Sequence, residues 1–152
     1  MSKFPKIESL LPHSAPMILV DKLIYVDEDK IHSQVLISKN SPFFIANNAC
    51  VGAWVGIEYM AQTIAAWSGY QHLLKKEASP IGFLLGTRRY HADVAFFKEN
   101  ETLDIYAQKE FESEGMGVFS CSIECRGEKM AQAQLNVFVP HKALLKNMLK
   151  RN

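Results

Sequence analysis

The chain has 152 residues, 48% of them hydrophobic and 22% charged, with a formal net charge of +1 at pH 7. This is the composition of a globular domain with room for a sizeable core, and its scattered, near-neutral charge leaves no electrostatic footprint for nucleic acid. Cys50, Cys121 and Cys125 match neither a disulfide framework nor a zinc-site spacing, which points to a reducing, cytoplasmic setting and to no metal.

The N-terminus, MSKFPKIESLLP, has no apolar core before a cleavage site, so no signal peptide is expected. Lys6 to Leu11 is amphipathic and short, one or two helical turns ahead of Pro12. The prolines of LPHSAPM set an extended, irregular path. Met17 to Val26 is β-branched and apolar, Asp27-Glu28-Asp29 is a turn, and Ile31 to Ser38 alternates, with Ile31, Ser33, Val35 and Ile37 on one face. Together they predict a hairpin. Ser41 to Cys50 is a loop.

Val51 to Leu74 is apolar on almost every side of a helical wheel and has no proline, which predicts a helix inside the protein. Glu58 and Gln62, one turn apart, interrupt it, so no membrane span is expected. An ionised carboxylate in apolar surroundings costs several kcal/mol. Glu58 is therefore expected to be paired, capped by donors, or held as a neutral acid for chemistry.

Ile81 to Val94 reads as a long strand, with a bulge or close backbone approach at Gly86. Phe97 to Glu101 is a polar turn. Thr102 to Phe111, Val118 to Cys125 and Met130 to Val139 alternate as strands, separated by the turns Gly115-Met116-Gly117 and Arg126-Gly127-Glu128. Tyr90 and His91 are expected on the strand surface. Pro140 ends the last strand, and His141 to Lys150 can form a short basic helix. No repeat or linker is visible, so residues 1–152 read as a single domain. Two strands, a buried helix and four antiparallel strand elements imply an α+β fold with a curved sheet around one helix, the hotdog arrangement. One sheet covers only part of such a helix, so a dimer is expected.

Three stretches, LPHSAPMILVDKL, SPFF and GIEYMAQ, resemble in order and spacing the β-hydroxyacyl-acyl-carrier-protein dehydratases of bacterial fatty acid synthesis. AWVGIEYMAQTIAAW, GFLLGTRRY and LNVFVP are similar to the dehydratase-like subunits of aryl polyene pathways. The resemblance covers about Leu10 to Pro140. It implies a hotdog dimer, homomeric or heteromeric, that takes an acyl carrier protein as partner and needs no cofactor. The reaction implied is that of a lyase: a histidine removes the C2 proton of a 3-hydroxyacyl thioester, a helix glutamate protonates the departing hydroxyl, and backbone N–H groups polarise the carbonyl.

Glu58 falls on the family glutamate. Gln62, Ala53, Trp54, Asn47, Phe44 and Gly86 fall at substrate-binding positions, with the Ala53 N–H in the carbonyl site at the helix start. The family's GHFPG histidine has no counterpart in FFIANNACVGAW, where Asn47 takes its place. His13, in LPHSAPM, is the remaining candidate base. Arg88 and Arg89 are candidates for the carrier's phosphate or acidic helix. Two other readings stay open: a catalytically weak or inactive partner subunit of a dehydratase heterodimer, and an acyl thioesterase using Glu58 with Asn47.

Overall fold

The computed structural model describes residues 4–11, 17–76, 84–113 and 115–138. Nine strands appear among them: β1 (Lys22–Val26), β2 (Lys30–Leu36), β3 (Phe44–Ile45), β4 (Cys50–Gly52), β5 (Leu84–Ala92), β6 (Phe96–Lys98), β7 (Thr102–Ser113), β8 (Met116–Cys125) and β9 (Glu128–Phe138). Helix α1 (Gly56–Leu74) follows a 3-10 turn at Ala53–Val55, and a second 3-10 turn spans Ile7–Leu10. The large antiparallel sheet runs β1-β2-β7-β8-β9-β5, and a small one runs β3-β4-β6. This is the expected hotdog fold, with one helix against a large curved sheet.

Alternation decides which face of the sheet meets the helix. Ile31, Ser33 and Val35 of β2, Leu103, Ile105 and Ala107 of β7, and Phe119, Cys121, Ile123 and Cys125 of β8 are all buried. They close over Tyr59, Met60, Ile64, Ala65 and Ala66 of α1 in one core. Register shifts in β1, β5, β7 and β9 mark bulges, and bulges bend a sheet. The turns obey local chemistry. Asp27 Oδ1 accepts from the Asp29 and Lys30 amides at 2.8 and 2.9 Å, closing β1–β2. Arg126 (φ 55°) and Gly127 (φ 79°) both lie in the left-handed region, the type I′ geometry that suits a two-residue hairpin between β8 and β9.

Several polar side chains of the helix find partners inside the core. Ser33 and Thr63 share a hydrogen bond of 2.7 Å, and Thr63 also donates to the Tyr59 carbonyl at 2.7 Å. At the C-terminal end of α1, Trp67 Nε1 and Gln71 Nε2 both donate to the Asp27 carbonyl, at 3.1 and 2.9 Å.

Several boundaries differ from the sequence reading. Met17 to Asp21 is not strand, because the Met17 and Leu19 main-chain groups bond to the Gln62 side chain. Cys50, read as loop, and Val51 and Gly52, read as helix, form strand β4, because Phe96–Lys98, whose last two residues read as polar turn, pairs with them. The bulge in β5 sits between Arg88 and His91, whereas Gly86 pairs regularly with Asn136. Pro140 and the segment His141 to Lys150 lie outside the described residues.

Gly69 marks where α1 passes closest to the N-terminal 3-10 turn: a Cβ there would run into the Leu10 carbonyl group. Backbone cannot give way as a side-chain tip can. Gly69→Ala is expected to cost about 1–3 kcal/mol, read as a melting temperature lower by roughly 3–10 °C.

Candidate active site

The start of α1 is built from three directions. The β4–β6 ladder continues one step beyond its strands, with Ala53 N–H donating to the Ala95 carbonyl at 2.9 Å. The Ala53 carbonyl accepts from the Gly56 amide and also from the Tyr90 hydroxyl. Both polar atoms of Ala53 are thus committed. The carbonyl-polarising role expected of its N–H is not open to it, because continued strand pairing takes that donor.

Trp54 leaves this junction 62% exposed, yet it is held in place. A Cβ on Gly52 would lie 2.6 Å from the indole Nε1, so glycine there lets the ring fold back over the main chain. Phe43 meets the indole edge-to-face at 5.4 Å between centroids. Phe43 reaches it with φ 68°, a conformation a bulky side chain seldom adopts. Ile45 and Phe96, at 40% and 45% exposed, add apolar surface on the small sheet. Phe44 is half-buried beside them.

Glu58 stands in the first turn of α1, one turn beyond Trp54, where the helix dipole favours a negative charge. The expectation that it lies in apolar surroundings within the chain is not met. Glu58 is exposed, and it makes no hydrogen bond or ion pair among the described residues. Gly56 and Tyr59 of the same turn are buried, so Glu58 stands on the turn's outer side.

The other expected site residues divide. Gln62, 4% exposed, spends both ends of its amide on main chain: Oε1 accepts from Leu19 N–H at 2.8 Å and Nε2 donates to Met17 O at 2.6 Å. It clips residues 17–19 to the helix one turn beyond Glu58. Asn47 is exposed in the turn joining β3 and β4. Gly86 and Arg89 are exposed on β5. Arg89 borders a shallow cleft of about 340 Å³ with Ser120, Ser122, Lys129, Gln132 and Gln134, which does not include Glu58. His13 and the Arg88 side chain lie outside the described residues. Cys50, Cys121 and Cys125 are free and buried. Among the described residues no group of three His, Cys, Asp or Glu side chains could hold a metal ion, and no helix is long and apolar enough to cross a membrane.

Tyr90 is the residue that sequence reasoning missed. The bulge in β5 breaks alternation, with Arg89 in the left-handed region (φ 59°), and Tyr90 turns inward to the helix start. Its phenol is pushed up to about 12 by burial. Only the bulge carries that signal, and it depends on pairing with β9.

The profile of the ApeP-like family, described as ApeP dehydratase, matches residues 5–150. The 3-hydroxyacyl-[acyl-carrier-protein] dehydratase FabZ of Deinococcus radiodurans is 27% identical over 129 residues, covering 82% of this chain and 85% of its own. FabZ of Bartonella henselae is 27% identical over 145 residues, covering 90% and 89%. Among solved structures, a chain of the dehydratase heterocomplex ApeI:P from Xenorhabdus doucetiae superposes with a TM-score of 0.87 at 31% identity, over 97% of this chain and 99% of that one. A hypothetical thioesterase from Streptococcus pneumoniae with coenzyme A shares the fold alone, at TM-score 0.57 and 10% identity, over 78% and 86%.

Gln62→Leu keeps the shape but orphans one amide and one carbonyl. It is expected to cost about 1–3 kcal/mol and to speed hydrogen exchange of the Leu19 amide; unchanged exchange would contradict the clip. Burial also raises the Tyr59 phenol and lifts the Cys121 thiol to about 12. The folded state therefore holds protons that the unfolded chain releases. The stability these groups contribute is intact below the ordinary thiol and phenol values of 9.0 and 10.0 and is lost as pH rises toward 12. Thermal melts from pH 8 to 12 should show that fall, and Tyr90→Phe should remove part of it.

Proposed function

This chain belongs to the ApeP-like dehydratase family, and we propose that it is one subunit of a two-chain dehydratase acting on 3-hydroxyacyl thioesters of an acyl carrier protein. The product is the trans-2-enoyl thioester plus water, in a pathway of the fatty acid or aryl polyene type. One observation carries the reading: Glu58 is exposed, and among the described residues unpartnered, in the first turn of an apolar helix, beside the aromatic rim of Trp54 and Phe43. A carboxylate so placed becomes a working acid only when something covers the rim and excludes water.

A second hotdog chain supplies such a cover. Strand β5 bonds only to β9, and its other edge is open to pairing among the described residues. The similarity to a chain of the ApeI:P heterocomplex favours a heterodimer over a pair of identical chains.

In the proposed reaction a base takes the C2 proton while Glu58 gives its proton to the C3 hydroxyl, which leaves as water. The base proton then returns to Glu58 through solvent or the pocket. Asn47 has no proton-accepting nitrogen at neutral pH, so the base is His13 of this chain or a histidine of the second subunit. Support for His13 comes from Gln62, which grips the Met17 carbonyl four residues later in the sequence, one helical turn from Glu58. Arg88 and Arg89 serve the carrier: a guanidinium forks onto a phosphate or carboxylate in two parallel bonds, and the Arg89 cleft contains no carboxylate.

A second reading keeps this chain as a partner without chemistry of its own. The replacement of the family histidine by Asn47, on an exposed turn, favours it. The test supplies a 3-hydroxyacyl carrier thioester to the chain alone and to its complex with a second dehydratase chain, following enoyl product and free thiol. Glu58→Gln is expected to lower water elimination by about 10²–10⁴-fold with an unchanged melting temperature, because the side chain is exposed. His13→Ala separates the two sources of the base. A complex that needs this chain but ignores Glu58→Gln would establish the partner reading, and thiol release without enoyl product would establish a thioesterase.

A further inference from the structure

We infer that Tyr90 is a positioning residue for the Glu58 site: its hydroxyl holds the Ala53 carbonyl and so fixes where helix α1 begins. The kinetic consequence rests on the dehydratase reading above, whereas the hold itself rests on geometry.

Four observations converge. The β5 bulge between Arg88 and His91, with Arg89 in the left-handed region, turns Tyr90 toward the helix. A buried phenol needs a partner, and the Ala53 carbonyl is the one it has. Gly56, the first residue of α1, has no room for a side chain: a Cβ there would clash with the Tyr90 hydroxyl, while the ring carbon Cζ lies 3.3 Å away and the Ile123 Cδ1 tip 2.9 Å away. The segment that needs fixing is a single 3-10 turn, Ala53–Val55, whose hydrogen-bond geometry is weak on its own.

The three residues therefore work as one latch. The bulge aims the hydroxyl, the hydroxyl caps the carbonyl, and the glycine leaves the hydroxyl its space. The Gly56 amide shares the same carbonyl, two residues before Glu58. Loss of the hydroxyl leaves that carbonyl with the Gly56 amide alone and frees the junction from β5. Trp54 and Glu58 both leave from this junction. A shift of about 1 Å in a catalytic group is enough to cost orders of magnitude in rate.

The experiment compares wild type, Tyr90→Phe, Gly56→Ala and the double variant. Gly56→Ala alone is expected to lower the melting temperature by roughly 5 °C or more. Adding Tyr90→Phe should restore most of that loss, because the nearest obstacle is gone and what remains is the movable Ile123 tip and the ring carbon Cζ at 3.3 Å. Absence of rescue overturns the latch.

Tyr90→Phe alone should speed exchange of the Gly56 amide several-fold, and in the dehydration assay lower kcat at least tenfold with KM within about twofold. Unchanged kcat and unchanged exchange would make Tyr90 mere packing. Should the wild-type complex show no dehydration at all, the functional reading fails. The rescue and exchange measurements still decide the latch.

Discussion

An almost wholly apolar helix persists in water only if other chain covers it, and every other element follows from that demand. The nineteen residues of α1 carry no continuous polar face. A single antiparallel sheet can curve around such a cylinder if its strands are long and bulged, as β5, β7 and β9 are. The price is an outer sheet face left to water, which here carries Ser120, Gln132 and Gln134. Coverage is also uneven. The first turn buries Gly56 and Tyr59 but leaves Glu58 on its outer side, exposed.

Within the helix several polar side chains meet a specific need. Thr63 reaches Ser33 across the core, Gln62 replaces a missing stretch of β-ladder for residues 17–19, and His72 Nδ1 lies 2.7 Å from the Ser68 carbonyl. Glu58 is the contrast, since nothing in the described chain uses it.

The sequence made the inward faces legible because alternation is a local property. Ile31, Val35, Leu103, Ile105, Phe119 and Ile123 are buried where period two puts them. The same holds for the helix as a body, for its exit at Lys75-Lys76, and for the motif containing Glu58. What could not be read was set by partners distant in sequence. Cys50–Gly52 becomes strand only because Phe96–Lys98 lies beside it. Tyr90 faces inward only because β9 forces an extra residue into β5. Ala53 loses its free amide to Ala95, forty-two positions on in the numbering. The exposure of Glu58 was hidden for a different reason: an apolar stretch reports that it will be covered, not by which chain.

Each end of α1 is tied by one carbonyl that takes two donors, Ala53 O from Gly56 and Tyr90 at the start, Asp27 O from Trp67 and Gln71 toward the finish. A rod pinned at both ends can neither slide along its axis nor roll about it without breaking bonds at both pins. Accommodation of acyl groups of different length or shape must therefore fall to whatever is not pinned, above all the two-residue β3 and the turn after it. In this architecture the helix that carries Glu58 stays still while the walls around it adapt.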